Sequence, residues 1–538
     1  MIPPDGEKAA TPDQSGPAPP GPVAVIEIGT TAIRAVVAQF GRGSRFRVLD
    51  PLQQTVSLGR DTFSTGLIEQ ETIEECVKVL RGFLDVLKQS GVTDDRRITA
   101  VATSAVREAS NRDAFVDRIL IATGIHVRVI DEAEVNRFTY HAVRPALQRQ
   151  RFWKTSDTIV VEVGGGSTEA LVFRRGKIGD SHMYRLGALR LRKMLEDYHA
   201  PRGRLRQIMR RHVDQMVSQV KAAIAPARSA RMLALGGEAR FACAHLNPDW
   251  SRKDTVSLPV SDLTRLTNEI LGLSMDEVVG RYGVTYPDAE TLGPALLIYA
   301  RLAKTLGIEN ILVCGATLRT GVLAEMAMQG AWTSDLKKQI IASAVKIADK
   351  YGVERRHSQY VASMARRLFR ILQDEHRLDP RFELLLTVAA LLHEAGLYVS
   401  HNAHHKHSMY LMLNSDIFGL GSDDIVLAAL VARYHRRAQP RPTHPYYAEL
   451  DKNRKVTVSK LAAILRVADA LDQEHTHRMG VPDMHIEEGS LVITCRKSGD
   501  FTLERHGLQG KAAPMFSQVY GMGIVFRTAH GRQANGRA

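Results

Sequence analysis

TIVVEVGGGSTEALVF, residues 158–173, is an apolar run that enters a cluster of glycines and leaves it as a second apolar run. Ile159, Val160, Val161 and Val163 read as a buried β-strand. Gly164, Gly165 and Gly166 let the backbone approach a ligand closely, with main-chain N–H groups free to point at an anion. Ser167 and Thr168 add hydroxyl donors, Glu162 can hold a cation, and Glu169 can act on a water. Such a turn suits a phosphate. An ordinary glycine-rich hairpin turn is the competing reading of these residues alone.

The stretch occurs twice. VIEIGTTAIRAVVA, residues 25–38, overlays without gaps on VVEVGGGSTEALVF, residues 160–173. Glu27 matches Glu162, Gly29 matches Gly164, and Thr30-Thr31 stand where Gly165-Gly166 stand. Each copy is a strand–turn–strand with an acid on its first strand. Two such turns imply two similar lobes, each offering a phosphate loop to one cleft. That layout resembles the actin-like, sugar-kinase-like ATPase architecture.

The whole chain sets the frame. At 538 residues it exceeds a single core, and three or four domains are expected. A hydrophobic content of 44% and a charged content of 24% are those of a soluble globular protein. Cys76, Cys243, Cys314 and Cys495 are scattered without CxxC pairing, which argues against a disulfide framework or structural zinc and fits a reducing cytoplasm. No segment approaches the roughly 18 apolar residues of a membrane span, and no signal-peptide pattern opens the chain. A formal charge of +14 favours polyanions. Nucleic acid is the commonest of these, but aromatics are only 6% and no basic recognition helix is visible, so a polyphosphate fits as well.

Residues 1–21, rich in Pro, Gly and Ala, read as a disordered tail, as do residues 529–538. After the first hairpin comes a further β-rich piece ending in Ser57-Leu58-Gly59-Arg60, then a helix around residues 69–89. ITAVATSAVREASNRDAF reads as a strand, a Thr103-Ser104 turn and a helix bearing Arg107. A short strand over 127–130 and a helix entered at Asp131 complete an α/β lobe over residues 22–145. The second lobe, residues 146–330, repeats the alternation, with a strand into Gly236-Gly237 and a strand leading to CGATLRTGVLAEM. Residues 334–480 read as almost wholly helical and carry a histidine cluster. SLVITCRKSGDFTLER, within the last piece (481–528), alternates like a small antiparallel sheet.

Together these residues resemble the exopolyphosphatase / guanosine pentaphosphate phosphohydrolase family. VEVGGGSTEALVF is similar to that family's second phosphate loop and VIEIGTTAIRAVVA to its first. VATSAVREASN, LRTGVLAEM, LLHEAG, HHKHS, RYHRR and LRVADALD extend the likeness in order over roughly residues 22–525. The resemblance implies two actin-like, ribonuclease H-like α/β lobes, then an all-α HD-like domain and a small α+β C-terminal domain. It implies release of the terminal phosphate of inorganic polyphosphate or guanosine pentaphosphate with Mg2+, in a cytoplasmic homodimer. Gly29, Thr30, Thr31, Arg34, Gly164, Gly165, Gly166, Ser167, Thr168, Gly236 and Gly237 would bind phosphate. Arg107 would hold the terminal phosphoryl group, Glu27 and Glu162 the metal, and a carboxylate, Glu134 or Glu169, would act on the water.

The chain departs from the family pattern at several of these places. Glu27 and Glu162 stand where aspartate is usual, and Thr30-Thr31 replace a Ser-Asn pair. In IDEAEVNRFTY, aligned on a Gly-x-Glu-Glu-Ala-Arg-Leu pattern, Glu134 and Arg137 are kept but Val135 occupies the position of the catalytic glutamate. Glu238 replaces a threonine and Gly315 an aspartate. A degenerate regulator that binds polyphosphate or an alarmone without hydrolysing it is therefore an alternative. So, from architecture alone, is a sugar-kinase-like phosphotransferase.

His357, His393-Glu394, His407, His435 and Asp469 fall in the order of an HD-type phosphohydrolase, with Glu394 where the defining aspartate would stand. In the resembled family this domain is often a relic, and satisfied core or surface histidines are the other reading. Lys406, Arg433, Arg436 and Arg437 can contact a long polyanion or form a solvated face.

Overall fold

The computed structural model describes residues 21–41, 46–196, 198, 201–224, 230–251, 255–328, 332–436, 438–495 and 499–528. The two terminal tails, apart from Gly21, and Arg437 lie outside the described residues. The strands run in chain order: β1 (Pro22–Ile28), β2 (Ala32–Phe40), β3 (Phe46–Thr55), β4 (Ile98–Ala102), β5 (Val127–Val129), β6 (Thr158–Val163), β7 (Thr168–Arg174), β8 (Lys177–Tyr184), β9 (Arg231–Leu235), β10 (Val256–Pro259), β11 (Asn310–Val313), β12 (Asp483–Glu487), β13 (Ser490–Cys495) and β14 (Gly523–Thr528).

The first sheet has the order β3-β2-β1-β4-β5 and the second β10-β11-β9-β6-β7-β8. With the antiparallel edge strand β10 set aside, both are one topology: an antiparallel meander whose first strand is flanked by parallel strands. The pairing repeats residue for residue. Glu27 faces Arg34 across the first hairpin, and Glu162 faces Glu169 across the second. Gly29 N–H donates to Ala32 O at 3.0 Å, and Gly164 N–H to Ser167 O at 2.9 Å. The gapless overlay of the two stretches is thus a duplication of structure.

The central strands are near-continuous apolar runs because both faces of each sheet are covered. In the first lobe Ile26, Ile28 and Ile33 pack beneath Ile73, Val77 and Leu80 of helix Gln70–Gln89. The other face, Val25, Val36 and Val101, meets Val135 and Phe138 of helix Glu132–Gln148 and Leu318 and Val322 of helix Leu318–Ala327. Val135 is therefore a core residue. These last two helices touch so closely that a Cβ on Gly321 would overlap the carbonyl of Phe138. In the second lobe Ile159, Val161 and Val163 face helices Arg202–Ile224 and Tyr286–Thr305, while Val160, Leu171 and Phe173 face the other way. That second face is covered by Tyr140 and Val143 and by Leu336, Ile340 and Ala344 of helix Ser334–Lys350. The helical region thus shares its core with the second lobe.

Two local readings are corrected. Residues 58–65 form a helix, pinned where Gly59 N–H donates to Thr30 O at 2.8 Å. The C-terminal sheet, in the order β12-β13-β14, is mixed: β13 and β14 run parallel. A parallel pair needs a crossover, and FTLER belongs to it as helix Thr502–Gly507, opened by Asp500 Oδ1 accepting from Thr502 N–H at 3.0 Å. Met484, Leu491, Ile493 and Phe516 of this piece pack into the same apolar cluster as helix Lys452–Ala470. Among the described residues the cysteines are buried and form no disulfide, and no helix is long and apolar enough to cross a membrane.

Candidate active site

The two hairpin turns meet. A Cβ on Gly165 would lie 2.6 Å from Thr30 Cγ2, and one on Gly166 would lie 2.5 Å from Phe63 Cζ and 2.9 Å from Ser104 Oγ. A Cβ on Gly187 would come within 2.5 Å of the backbone of both Gly165 and Gly166. Glycine is required at these places by close approach. The carbonyls of Gly164, Gly165 and Gly166 are tied down by Ala188 N–H at 2.9 Å, Arg190 N–H at 3.0 Å and Arg190 Nε at 2.9 Å. The N–H groups of Gly165 and Gly166 donate to no acceptor among the described residues. Their carbonyls are used and their donors are free, the polarity an anion needs.

The remaining predicted donors divide. Thr30 Oγ1 and Ser104 Oγ lie 3.3 Å apart within the first lobe, and Ser167 Oγ donates to Glu169 at 3.3 Å. Thr168 Oγ1 donates to Leu186 O at 2.6 Å, a structural bond that braces the loop from behind. Arg34 Nε donates to Gln53 Oε1 at 3.1 Å. Gly236 has φ +100°, in the region that favours glycine, and Gly237 opens helix Gly237–Leu246. Tyr299, fully buried, locks this turn to the glycine loop by accepting from Val163 N–H at 2.8 Å and donating to Leu235 O.

The carboxylates converge below the loops. Burial pushes Glu162 up to about 8, with Glu169 and Glu27 adding repulsion and Arg240 opposing it. Burial likewise raises Glu169 to about 7, against the pull of Arg107 and the Ser167 hydrogen bond. Glu238, which also acts on Glu162, accepts a hydrogen bond from Thr291 Oγ1 at 2.8 Å. Glu27 is held in an ion pair by Arg319, a residue of the second lobe's LRTGVL segment. Arg107 donates through Nη1 to Ile130 O at 2.8 Å, and its guanidinium acts on both Glu132 and Glu169.

Glu134 stands outside this group. Its Oε2 accepts from Asp131 N–H at 3.2 Å and its own N–H donates to Asp131 Oδ1 at 2.8 Å, a capping box. Its carboxylate also pairs with Arg128 and Arg137, each at 3.4 Å. The acid of this helix that faces Arg107 is Glu132, which sequence reasoning missed along with Arg319, Arg240 and Tyr299. The Asp131-x-x-Glu134 spacing is itself a capping signature and was the available signal that Glu134 is committed to the helix end.

In the helical region the structure brings His357, His393 and Asp469 together, with Glu394 at 3.9 Å from His357 Nε2. His435 packs against His393, ring centroids 4.9 Å apart, and its Nε2 lies 3.3 Å from that of His404. Lys406 is exposed, and Arg433 and Arg436 are half-buried.

A duplicated sheet with two facing turns, one carrying free N–H groups above a buried acid pair, defines a two-lobe phosphate-handling protein. The model of the Ppx/GppA phosphatase family matches residues 36–329, and that of domain III of these phosphatases matches residues 341–507. The chain belongs to the Ppx/GppA phosphatase family. It is 25% identical over 500 residues to the guanosine-5'-triphosphate,3'-diphosphate pyrophosphatase of Pseudoalteromonas translucida, covering 90% of this chain and 93% of that protein. It is 28% identical over 314 residues to exopolyphosphatase 1 of Mycobacterium leprae, covering 56% of this chain and 87% of that one. An exopolyphosphatase from Cytophaga hutchinsonii superposes with a TM-score of 0.51 at 22% identity, over 57% of this chain and 98% of that chain. This likeness bears out the mixed α/β, actin-like fold.

Proposed function

We propose that this protein hydrolyses the terminal phosphoanhydride bond of inorganic polyphosphate, with Mg2+ as cofactor. The observation that carries the reading is the pairing of free Gly165 and Gly166 N–H groups with the Glu162–Glu169 pair directly beneath them. The N–H groups and the Thr30 hydroxyl receive the terminal phosphoryl oxygens, and Arg107 adds a charge-assisted contact. Glu162, within the field of Glu27 and Glu238, would offer carboxylate oxygen to a hard dication. Mg2+ bound there would neutralise charge developing on the phosphoryl group.

Glu169 is the proton acceptor in this reading. It is held near neutrality by burial, opposite Glu162 and within the field of Arg107. It takes a proton from the water that attacks the terminal phosphorus. The bond to the bridging oxygen breaks, and orthophosphate and a chain one unit shorter leave. This role makes up for the core valine at position 135. The formal charge of +14 would gather the polyanion.

The same loops would accept guanosine pentaphosphate. That second reading is favoured by the relative of that activity aligning over 90% of this chain, against 56% for the exopolyphosphatase. Orthophosphate release from long-chain polyphosphate with Mg2+, with guanosine pentaphosphate as competitor, tests the choice. Release that pentaphosphate inhibits only weakly supports polyphosphate. Release from pentaphosphate alone would replace the first reading with the second.

A further inference from the structure

His357 and His393 are completely buried, and the Nε2 of each has no hydrogen-bond partner among the described residues. Buried imidazole nitrogens are normally satisfied, so two left open side by side call for a missing ligand. Both lie close to one carboxylate oxygen: Asp469 Oδ1 is 3.3 Å from His393 Nε2 and 3.6 Å from His357 Nε2. Ligand atoms bound at about 2.0–2.1 Å to one tetrahedral ion stand roughly 3.3 Å apart, so these separations are those of a coordination edge.

The far sides of the rings are fixed as metal-binding histidines require. His393 Nδ1 donates to Ala390 O at 2.7 Å, which leaves Nε2 with its lone pair. His357 Nδ1 lies 2.9 Å from Asp472 Oδ2, a carboxylate–histidine arrangement that orients the ring and raises its basicity. Asp472 is in turn held by His477 N–H at 2.7 Å. Glu394 lies 3.9 Å from His357 Nε2 and 3.5 Å from Nε2 of His475, whose ring stacks on His357 at 3.6 Å between centroids.

We propose that the helical region binds a first-row transition-metal dication on His357, His393 and Asp469, with Glu394 and His475 beside it. Imidazole with carboxylate selects zinc, manganese or iron over magnesium, which takes oxygen ligands. This centre is therefore chemically distinct from the carboxylate cluster between the lobes, and it stands independently of the proposed hydrolysis.

The test is metal content of the tag-free full-length chain, produced with zinc, manganese and iron supplied and desalted without chelator. About one such metal per chain is expected. Asp469→Asn, checked for folding by circular dichroism, should lose it at least tenfold, and Glu162→Gln should keep it. Cobalt added to the metal-free wild-type chain should give visible d–d absorption of nitrogen–oxygen ligation, a readout that needs no variant. Wild-type chain that takes up no transition metal and gives no cobalt spectrum overturns the proposal, as does full metal content in folded Asp469→Asn.

Discussion

Replacing Glu169 by Gln should stabilise the metal-free protein at alkaline pH while abolishing its chemistry. Glu169 faces Glu162 across the hairpin, and burial lifts it from an ordinary value of 4.5 to about 7. A carboxyl raised in the folded state contributes stability that is complete below the unfolded value and is lost as pH rises through the folded one. The wild type should therefore lose stability between about pH 4.5 and 7, by about 3 kcal/mol at 1.36 kcal/mol per pH unit. Glutamine keeps the shape without the ionisation. Weakening of the Ser167 hydrogen bond, from a charged to a neutral acceptor oxygen, offsets about 1 kcal/mol of the gain. The variant should thus exceed the wild type by about 2 kcal/mol at pH 8.5 and match it near pH 4.5. Guanidinium unfolding in chelator, followed by tryptophan fluorescence, measures this, because Trp153 packs on Phe173 in the second lobe at 4.8 Å between ring centroids. A variant no more stable than the wild type at pH 8.5 would refute the like-charge, buried-pair reasoning.

Three further outcomes follow from the packing. Gly187→Ala should force the glycine loop away from Thr30, because its Cβ would sit 2.5 Å from the Gly165 and Gly166 backbone; phosphate release should fall about a hundredfold, the scale of a misplaced site. Arg319→Met should destabilise by about 1–3 kcal/mol by leaving the half-buried Glu27 without its ion-pair partner, and Glu27→Gln in the same chain should restore much of that in thermal unfolding. Tyr299→Phe should cost about 1–3 kcal/mol, since Val163 N–H and Leu235 O both lose their buried partner.

The doubled hairpin was legible from sequence because alternation and a fixed glycine turn constrain register to a single solution. Glu27 opposite Arg34, and Glu162 opposite Glu169, follow from the gapless overlay once the strands pair. Contacts made between distant segments were not legible. Nothing local in LRTGVL says that Arg319 reaches Glu27, 292 residues away. On the helix after Asp131, the spacing that puts Glu134 into the cap turns Glu132 toward Arg107, and a linear alignment does not carry that rotation. FTLER alternates as a strand would, but the parallel pairing of β13 with β14 makes it part of a helical crossover. Domain boundaries drawn from composition miss that the helical region's core runs on into the second lobe at Val160 and Phe173. The histidines and Asp469 were picked out by their order along the chain, and only the fold shows two ring nitrogens without hydrogen bonds beside one carboxylate.

The most direct test of the proposed hydrolysis is orthophosphate release from long-chain polyphosphate with Mg2+, by the wild type and Glu169→Gln side by side. The account predicts release by the wild type, rising with pH through about 7, and a loss of 10²–10⁴-fold in the variant with polyphosphate binding retained. Equal turnover by the two proteins, or binding without release by both, would contradict it.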